Sequence, residues 1–248
     1  MTLEQFFAEN REVAIAFSGG VDSAYLLYAA TRYAARVKAY YVSTAFQPEF
    51  ELADARRLAD ELGADMLVLH VDVLSNSAVT ANPSDRCYHC KNTLFRQILR
   101  AAENDGFPVL LDGTNASDDA GDRPGMRALR ELSVRSPLRE CGLTKAEIRR
   151  LSREAGLFTW DKPAYACLAT RIRTGEKIML QKLKQTEKAE EFLFGLGLRD
   201  FRVRMVGNTA KLELREADLP LLLENREKIV TELRKDYDSV LLNLEVRK

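Results

Sequence analysis

The stretch that decides the fold is EVAIAFSGGVDS, residues 12–23. Its first half, EVAIAF, is a short apolar run bounded by polar residues, the pattern of a buried strand. Ser18-Gly19-Gly20 marks a tight turn, and from Val21 to Ala35 good helix formers carry an apolar stripe. A strand that turns sharply into a helix aims successive backbone N–H groups and the helix dipole at one point, which is an anion site. Gly19 and Gly20 let the backbone approach a phosphate, Ser18 and Ser23 offer hydroxyl donors, and Asp22 is placed to orient a magnesium ion or a leaving pyrophosphate. The loop has neither the lysine of G-x-x-x-x-G-K-[ST] nor the spacing of G-x-G-x-x-G, so it predicts a phosphate grip of another kind.

Outward from this unit, strand and helix take turns. VKAYYVST (37–44) reads as a strand, FELADARRLADELGA (50–64) as a helix, DMLVLHV (65–71) as a strand, CKNTLFRQILRAAEND (90–105) as a helix and FPVLLDG (107–113) as a strand. More than a hundred residues of such alternation predict an α/β fold, a mostly parallel doubly wound sheet with helices on both faces. GTNASDDAGDRPGM (113–126) is rich in turn residues and leaves the carboxyl end of a strand, where open sheets of this kind bind ligands. Within it Asp118 is a second candidate for nucleotide or metal contact, weighed against a turn cap. LTKAEIRRLSREAGL opens a short helix with a capping box, Thr144 and Glu147. WDKPAYACLATRIRTGEK (160–177) reads as an extended loop. Beyond it a helix, two strands, one helix over 219–237 and a last strand predict a small α+β domain. The expected division is 1–173 and 174–248.

Composition narrows the functions. Lysine plus arginine equals aspartate plus glutamate, 37 of each, so no global positive field gathers a nucleic acid. The start of the chain lacks a basic leader, and no window approaches the roughly 20 apolar residues that span a bilayer. A cytoplasmic protein with a small-molecule partner is expected. Four cysteines are too few for a disulfide scaffold in 248 residues.

Two of those cysteines, Cys87 and Cys90, stand in PSDRCYHCK (83–91) behind a proline turn. C-x-x-C spacing fits a zinc pair, a dithiol couple or iron–sulfur ligands. Zinc wants four ligands, and Cys141 supplies no second C-x-x-C; a following helix start would favour a dithiol couple. Cys141, His70, His89 and Trp160 read as ordinary packing or hydrogen-bonded residues. Arg171 follows Cys167 by four residues, close enough to steady phosphate charge. Arg202 and Arg204 alternate on one strand and so share a face.

SGGVDS resembles the PP-loop of the N-type ATP pyrophosphatases, which activate an oxygen as an adenylate and release pyrophosphate. That likeness implies that Ser18, Gly19, Gly20, Asp22 and Ser23 hold the phosphates of ATP with Mg2+. PSDRCYHCK, DGTNASD (112–118) and WDKPAYACLATRI (160–172) together resemble the LarE family of ATP-dependent sulfur transferases, over nearly the whole chain. The family builds the nickel-pincer nucleotide cofactor by adenylating a carboxylate of a pyridinium dicarboxylate mononucleotide and converting it to a thiocarboxylate. The resemblance implies an essential role for Cys167, a [4Fe–4S] cluster held by Cys87, Cys90 and Cys167, substrate phosphate on Arg202 and Arg204, and a homo-oligomer. Sacrificial loss of sulfur from Cys167 is the alternative within the family. Outside it stand a tRNA thiolase, an ammonia-dependent amide synthetase and a nucleotide-binding regulator.

Overall fold

A computed structural model describes residues 1–118 and 124–247. The centre of the turn-rich loop after Asp112, residues 119–123, lies outside the described residues. Two compact units divide the chain: residues 1–73 with 85–164, and residues 74–84 with the segment from Tyr165 onward. The last break falls between Ala164 and Tyr165, inside the loop that carries Cys167, and an eleven-residue piece, Leu74–Ser84, joins the second unit.

In the first unit α1 (Leu3–Glu9) opens under a capping box between Thr2 and Gln5. It leads through β1 (Glu12–Ala16), α2 (Val21–Tyr33), β2 (Arg36–Ser43), α3 (Glu49–Leu62) and β3 (Met66–His70). The chain then makes the short helix α4 (Ser77–Thr80) of the second unit. It returns for α5 (Arg86–Asn104), β4 (Val109–Leu111), α6 (Pro124–Glu131), α7 (Pro137–Glu140) and α8 (Lys145–Glu154). The four strands form one parallel sheet in the order β3-β2-β1-β4.

Strand alternation sends neighbouring side chains to opposite faces. Val13, Ile15, Tyr41 and Leu111 pack beneath Phe6, Leu26, Leu27, Leu58, Leu138 and Ile148, from α1, α2, α3, α7 and α8. Ala14, Tyr40 and Leu110 meet Ile98 and Ala102 of α5 on the other side. Leu26, Leu27 and Leu58 are each 0% exposed, which stabilises the fold by about 1.5–3 kcal/mol per side chain. Both faces are covered, and the doubly wound sheet expected from the alternation is the one observed. Starting at β1, the chain steps outward to β2 and β3, then crosses back to place β4 on the other flank of β1. The loops after β1 and β4 thus diverge at a topological switch point, the place where such sheets bind ligands.

The second unit contains α4, α9 (Leu180–Gly195), β5 (Phe201–Val206), β6 (Thr209–Leu214), α10 (Leu219–Glu224), α11 (Arg226–Leu233) and β7 (Ser239–Leu242). Its sheet has the order β5-β6-β7, antiparallel then parallel. Where the sequence predicts one helix over 219–237 there are two, because Asn225 turns its amide onto the Leu221 carbonyl at 3.0 Å and closes the first. The stretch 160–177 is not wholly extended: 3₁₀ turns occupy Phe158–Asp161 and Leu168–Arg171. Asn82 ties Leu74–Ser84 into this unit. It is 0% exposed, and its amide donates to the carbonyls of Arg173 at 2.9 Å and Glu176 at 3.1 Å. No described helix is long and apolar enough to cross a membrane.

Candidate active site

Both loops of the switch point belong to the first unit. The Phe17 N–H still bonds the Tyr40 carbonyl at 2.9 Å, so the β-ladder holds up to the turn. Gly19 then adopts φ +72°, and a Cβ there would lie 3.2 Å from that of Ala55 on α3. A left-handed backbone and a close neighbour both require glycine. The Ser23 hydroxyl donates to the Gly20 carbonyl at 3.1 Å, accepts the Ser18 N–H at 3.3 Å and lies 3.1 Å from Ser18 Oγ. No side chain caps α2, so its dipole faces the loop, with Asp22 in the first turn. A Cβ on Gly113 would stand 2.9 Å from the Ser23 nitrogen, which means that the loop after β4 rests directly on the first turn of α2.

Asp22 sits where these loops meet. Its Oδ2 accepts from Lys145 Nζ at 2.7 Å, while its buried Oδ1 has no hydrogen-bond partner among the described residues. Burial pushes the Asp22 carboxyl above the usual range; Lys145 pulls it down and the charge of Asp118 pushes it further up. The Asn115 amide is near enough to lower it slightly without closing a bond to Oδ1. Asp118 accepts the Asn115 N–H at 2.9 Å, and Asn115 Oδ1 accepts the Ser117 N–H at 2.8 Å. Asp118 is therefore a turn cap and a neighbour of Asp22 at once. At the base of the same loop, buried Asp112 accepts from Thr114 at 2.5 Å and Ser136 at 2.6 Å. A carboxylate oxygen that is buried and unpaired is a fit ligand for a hard divalent cation such as Mg2+.

The sequence predicts a helix from Cys90, with Cys87 just before it; α5 begins at Arg86 and contains both. It starts four residues early, with Asp85 at the cap position making no side-chain capping bond. The two thiols share one helix face at i, i+3. Cys87 is exposed, Cys90 half-buried, and Arg86 Nη2 lies 3.9 Å from Cys87 Sγ. Between them His89 pairs with Asp85 at 3.4 Å, an ordinary satisfied histidine. Cys141 closes α7 and packs on the core, and burial pushes its thiol up. Among the described residues no three His, Cys, Asp or Glu side chains converge as a metal site.

In the second unit Cys167 stands half-buried just before the 3₁₀ turn Leu168–Arg171. Thr170 returns both its N–H and its hydroxyl to the Cys167 carbonyl, each at 2.9 Å. Arg171, 1% exposed, forms a two-pronged pair with Glu190 on α9, at 2.8 Å and 3.0 Å. Its remaining guanidinium arm donates to the Ala166 carbonyl and Thr170 Oγ1, both at 2.9 Å. Glu190 also accepts the Val203 N–H of β5 at 2.9 Å and the Tyr165 hydroxyl. The sequence reading aims Arg171 at phosphate; in the structure two of those four contacts go to Glu190 and two to Ala166 and Thr170, on either side of the cysteine. Arg202 and Arg204 share the half-buried face of β5, opposite Phe201, Val203 and Met205. Arg204 pairs with Glu213 at 3.0 Å and donates to the Thr170 carbonyl. Arg202 has no hydrogen bond or ion pair among the described residues, and burial with the nearby guanidinium groups of Arg247, Arg171 and Arg204 lowers its pKa.

Sequence reasoning missed Lys145, Asn115, Lys162 and Glu190. Thr144-x-x-Glu147 marked the helix that carries Lys145, but nothing local signalled a contact 123 residues back. Asn115 and Lys162 lay inside stretches already singled out, without a reason to separate them from their neighbours.

A parallel sheet with Ser-Gly-Gly-Val-Asp-Ser at its switch point defines a nucleotide-binding α/β protein of the PP-loop class. Residues 4–119 match the family described as asparagine synthase. An uncharacterised protein of Synechocystis is 39% identical over 86% of this chain and 80% of its own. The pyridinium-3,5-bisthiocarboxylic acid mononucleotide synthase of Lactiplantibacillus plantarum is 31% identical, over 94% of this chain and 85% of that one. An uncharacterised protein of Methanocaldococcus jannaschii is also 31% identical, over 96% and 91%. The chain belongs to the LarE family, that of the mononucleotide synthase.

Proposed function

We propose that this protein is an ATP-dependent sulfur transferase that adenylates a carboxylate of a pyridinium dicarboxylate mononucleotide and converts it to a thiocarboxylate. One observation carries the reading: an uncapped phosphate loop whose buried Asp22 oxygen lacks a partner, in a chain similar throughout to a protein named for making the bisthiocarboxylic acid mononucleotide.

Residues 18–23 bind the ATP phosphates through backbone N–H groups and the hydroxyls of Ser18 and Ser23. Asp22 Oδ1 takes Mg2+, and Asp118 stands beside it. The substrate carboxylate attacks the α-phosphate, forming the acyl–phosphate bond as pyrophosphate leaves. A sulfur nucleophile then attacks the acyl carbon and AMP departs with the bonding pair. Bringing both reactants to one surface supplies proximity, and excluding water protects the mixed anhydride.

Cys87, Cys90 and Cys167 are the residues that would hold a [4Fe–4S] cluster, whose chemistry when bound is to supply sulfide. Thiolates are the usual ligands of such clusters, which is what supports this part of the reading. In this reading Arg171 serves by fixing that turn. Arg202, half-buried among the guanidinium groups of Arg247, Arg171 and Arg204, binds the substrate phosphate together with Arg204 in the segment 174–248. Balanced charge, 37 against 37, supports a small nucleotide over an RNA. The protein acts in the cytoplasm, as a homo-oligomer.

The test is iron and acid-labile sulfide analysis of protein purified without oxygen, with pyrophosphate release measured on the mononucleotide. About four irons per chain, lost in Cys87→Ala and Cys167→Ala, support the cluster. Metal-free protein that turns over once and loses the elements of hydrogen sulfide from Cys167 replaces it with the sacrificial route. Pyrophosphate release stimulated by tRNA or by ammonia, and not by the mononucleotide, overturns the proposal.

A further inference from the structure

Lys162 ends the 3₁₀ turn Phe158–Asp161 of the first unit, with a side chain 14% exposed. Its Nζ lies 2.7 Å from Asp54 Oδ2 on α3 and 3.5 Å from the carbonyl oxygen of Gly19, the left-handed residue of the phosphate loop. The base of this side chain is held firmly. Arg149 of α8 donates to the Trp160 carbonyl at 2.6 Å and to the Lys162 carbonyl at 2.8 Å. The ammonium also passes 5.7 Å from the centre of the Phe50 ring.

The SGGVDS loop contains no cation of its own, although a triphosphate brings several negative charges to it. Lys145 is already committed to Asp22. An ion pair made only to tack a surface turn onto α3 is worth little, and it would not require the ammonium to lean on the loop backbone. The structure instead holds an ammonium at the rim of an anion site, paired with Asp54 and reaching the Gly19 carbonyl.

We propose that Lys162 is a nucleotide-binding residue whose ammonium moves from the Gly19 carbonyl to a phosphate oxygen of ATP, supplying from a distant segment the cation that the phosphate loop lacks. Asp54 is its positioning residue: it holds the ammonium at the rim until the phosphates arrive. The inference rests on the ATP-using function proposed above.

Isothermal titration of the full-length protein with Mg-ATP and with Mg-pyrophosphate separates the two. In Lys162→Ala the affinity for both falls about ten- to a hundredfold, the worth of one charge-assisted hydrogen bond. The salt dependence of binding becomes shallower, Lys162→Arg recovers some of the loss, and Asp54→Asn binds at least as tightly as the wild type. A purely structural role would instead lower the melting temperature and weaken uncharged adenosine equally. Wild-type affinity in Lys162→Ala, or a tenfold loss in Asp54→Asn, overturns the assignment of Lys162 alone. A wild-type protein that binds neither probe overturns the ATP-using function and Lys162 with it.

Discussion

Asp22 is held in a conflict. Its carboxylate is buried beside Asp118, which disfavours charge, and one oxygen is compensated only by Lys145. The folded pKa lies above the ordinary 3.8, so the native state holds this proton more tightly than the unfolded chain. The associated stability is fully present below the unfolded pKa and is lost as pH rises through the folded one. Urea denaturation from pH 4 to 7 therefore shows the wild type losing stability relative to Asp22→Asn as pH rises. The same variant loses Mg2+-dependent ATP binding, which titration reads directly. Gly19→Ala is expected to cost about 1–2 kcal/mol from its left-handed backbone alone, and to abolish ATP binding because Ala55 stands in the way; a denaturation curve and a titration check the two halves. These residues were legible in the sequence because a strand, two glycines and a helix start are local signals. Lys162 was not, since its contact with Gly19 spans 143 residues and depends on tertiary packing.

Among elements, the strands and helices of the sheet fell where apolar periodicity put them, whereas some helix ends did not. α5 starts at Arg86, before the apolar stripe begins, and Asn225 divides a helix whose pattern runs through it. Glu190 was hidden for another reason: one of three acids in TEKAEEFLF looks like part of a solvated helix face, yet its side chain is 2% exposed and joins α9, β5 and the Cys167 turn. Removing one partner of such a pair leaves a buried charge. Glu190→Gln is expected to destabilise the second unit by about 3–5 kcal/mol, while Arg171→Met with Glu190→Leu recovers most of it; denaturant titration of all three chains decides. Gly113→Ala forces a methyl to within 2.9 Å of the Ser23 nitrogen and must push the loop after β4 away from the phosphate loop. Its ATP affinity is expected to drop at least about tenfold with the fold retained, because only the register of the anion site is disturbed.

Over the whole molecule, the alternation of elements showed two kinds of architecture in succession, but it could not show that Leu74–Ser84 belongs with the later one. That membership is made by backbone bonds: Ile178 N–H to the Thr80 carbonyl and Gly175 N–H to the Asn82 carbonyl, both at 2.8 Å. A chain cut after residue 164 loses those two bonds and the ones from the Asn82 amide to Arg173 and Glu176. Hydrogen exchange is expected to become fast over 74–84 in the truncated chain while the amides of β1 and β2 stay protected. Equal protection in both chains would count against the division.

The placement of Asn82 also has a meaning on the ribosome. Its amide is completed by the carbonyl of Glu176, 94 residues later in the chain. At about 5–20 residues per second, the segment waits roughly 5–20 s for its partners to be synthesised. By the end of that interval the phosphate loop, β1 to β4 and both C-x-x-C thiols have been synthesised. The first unit thus matures around an unfinished excursion of the chain, and release of the last third of the protein closes it.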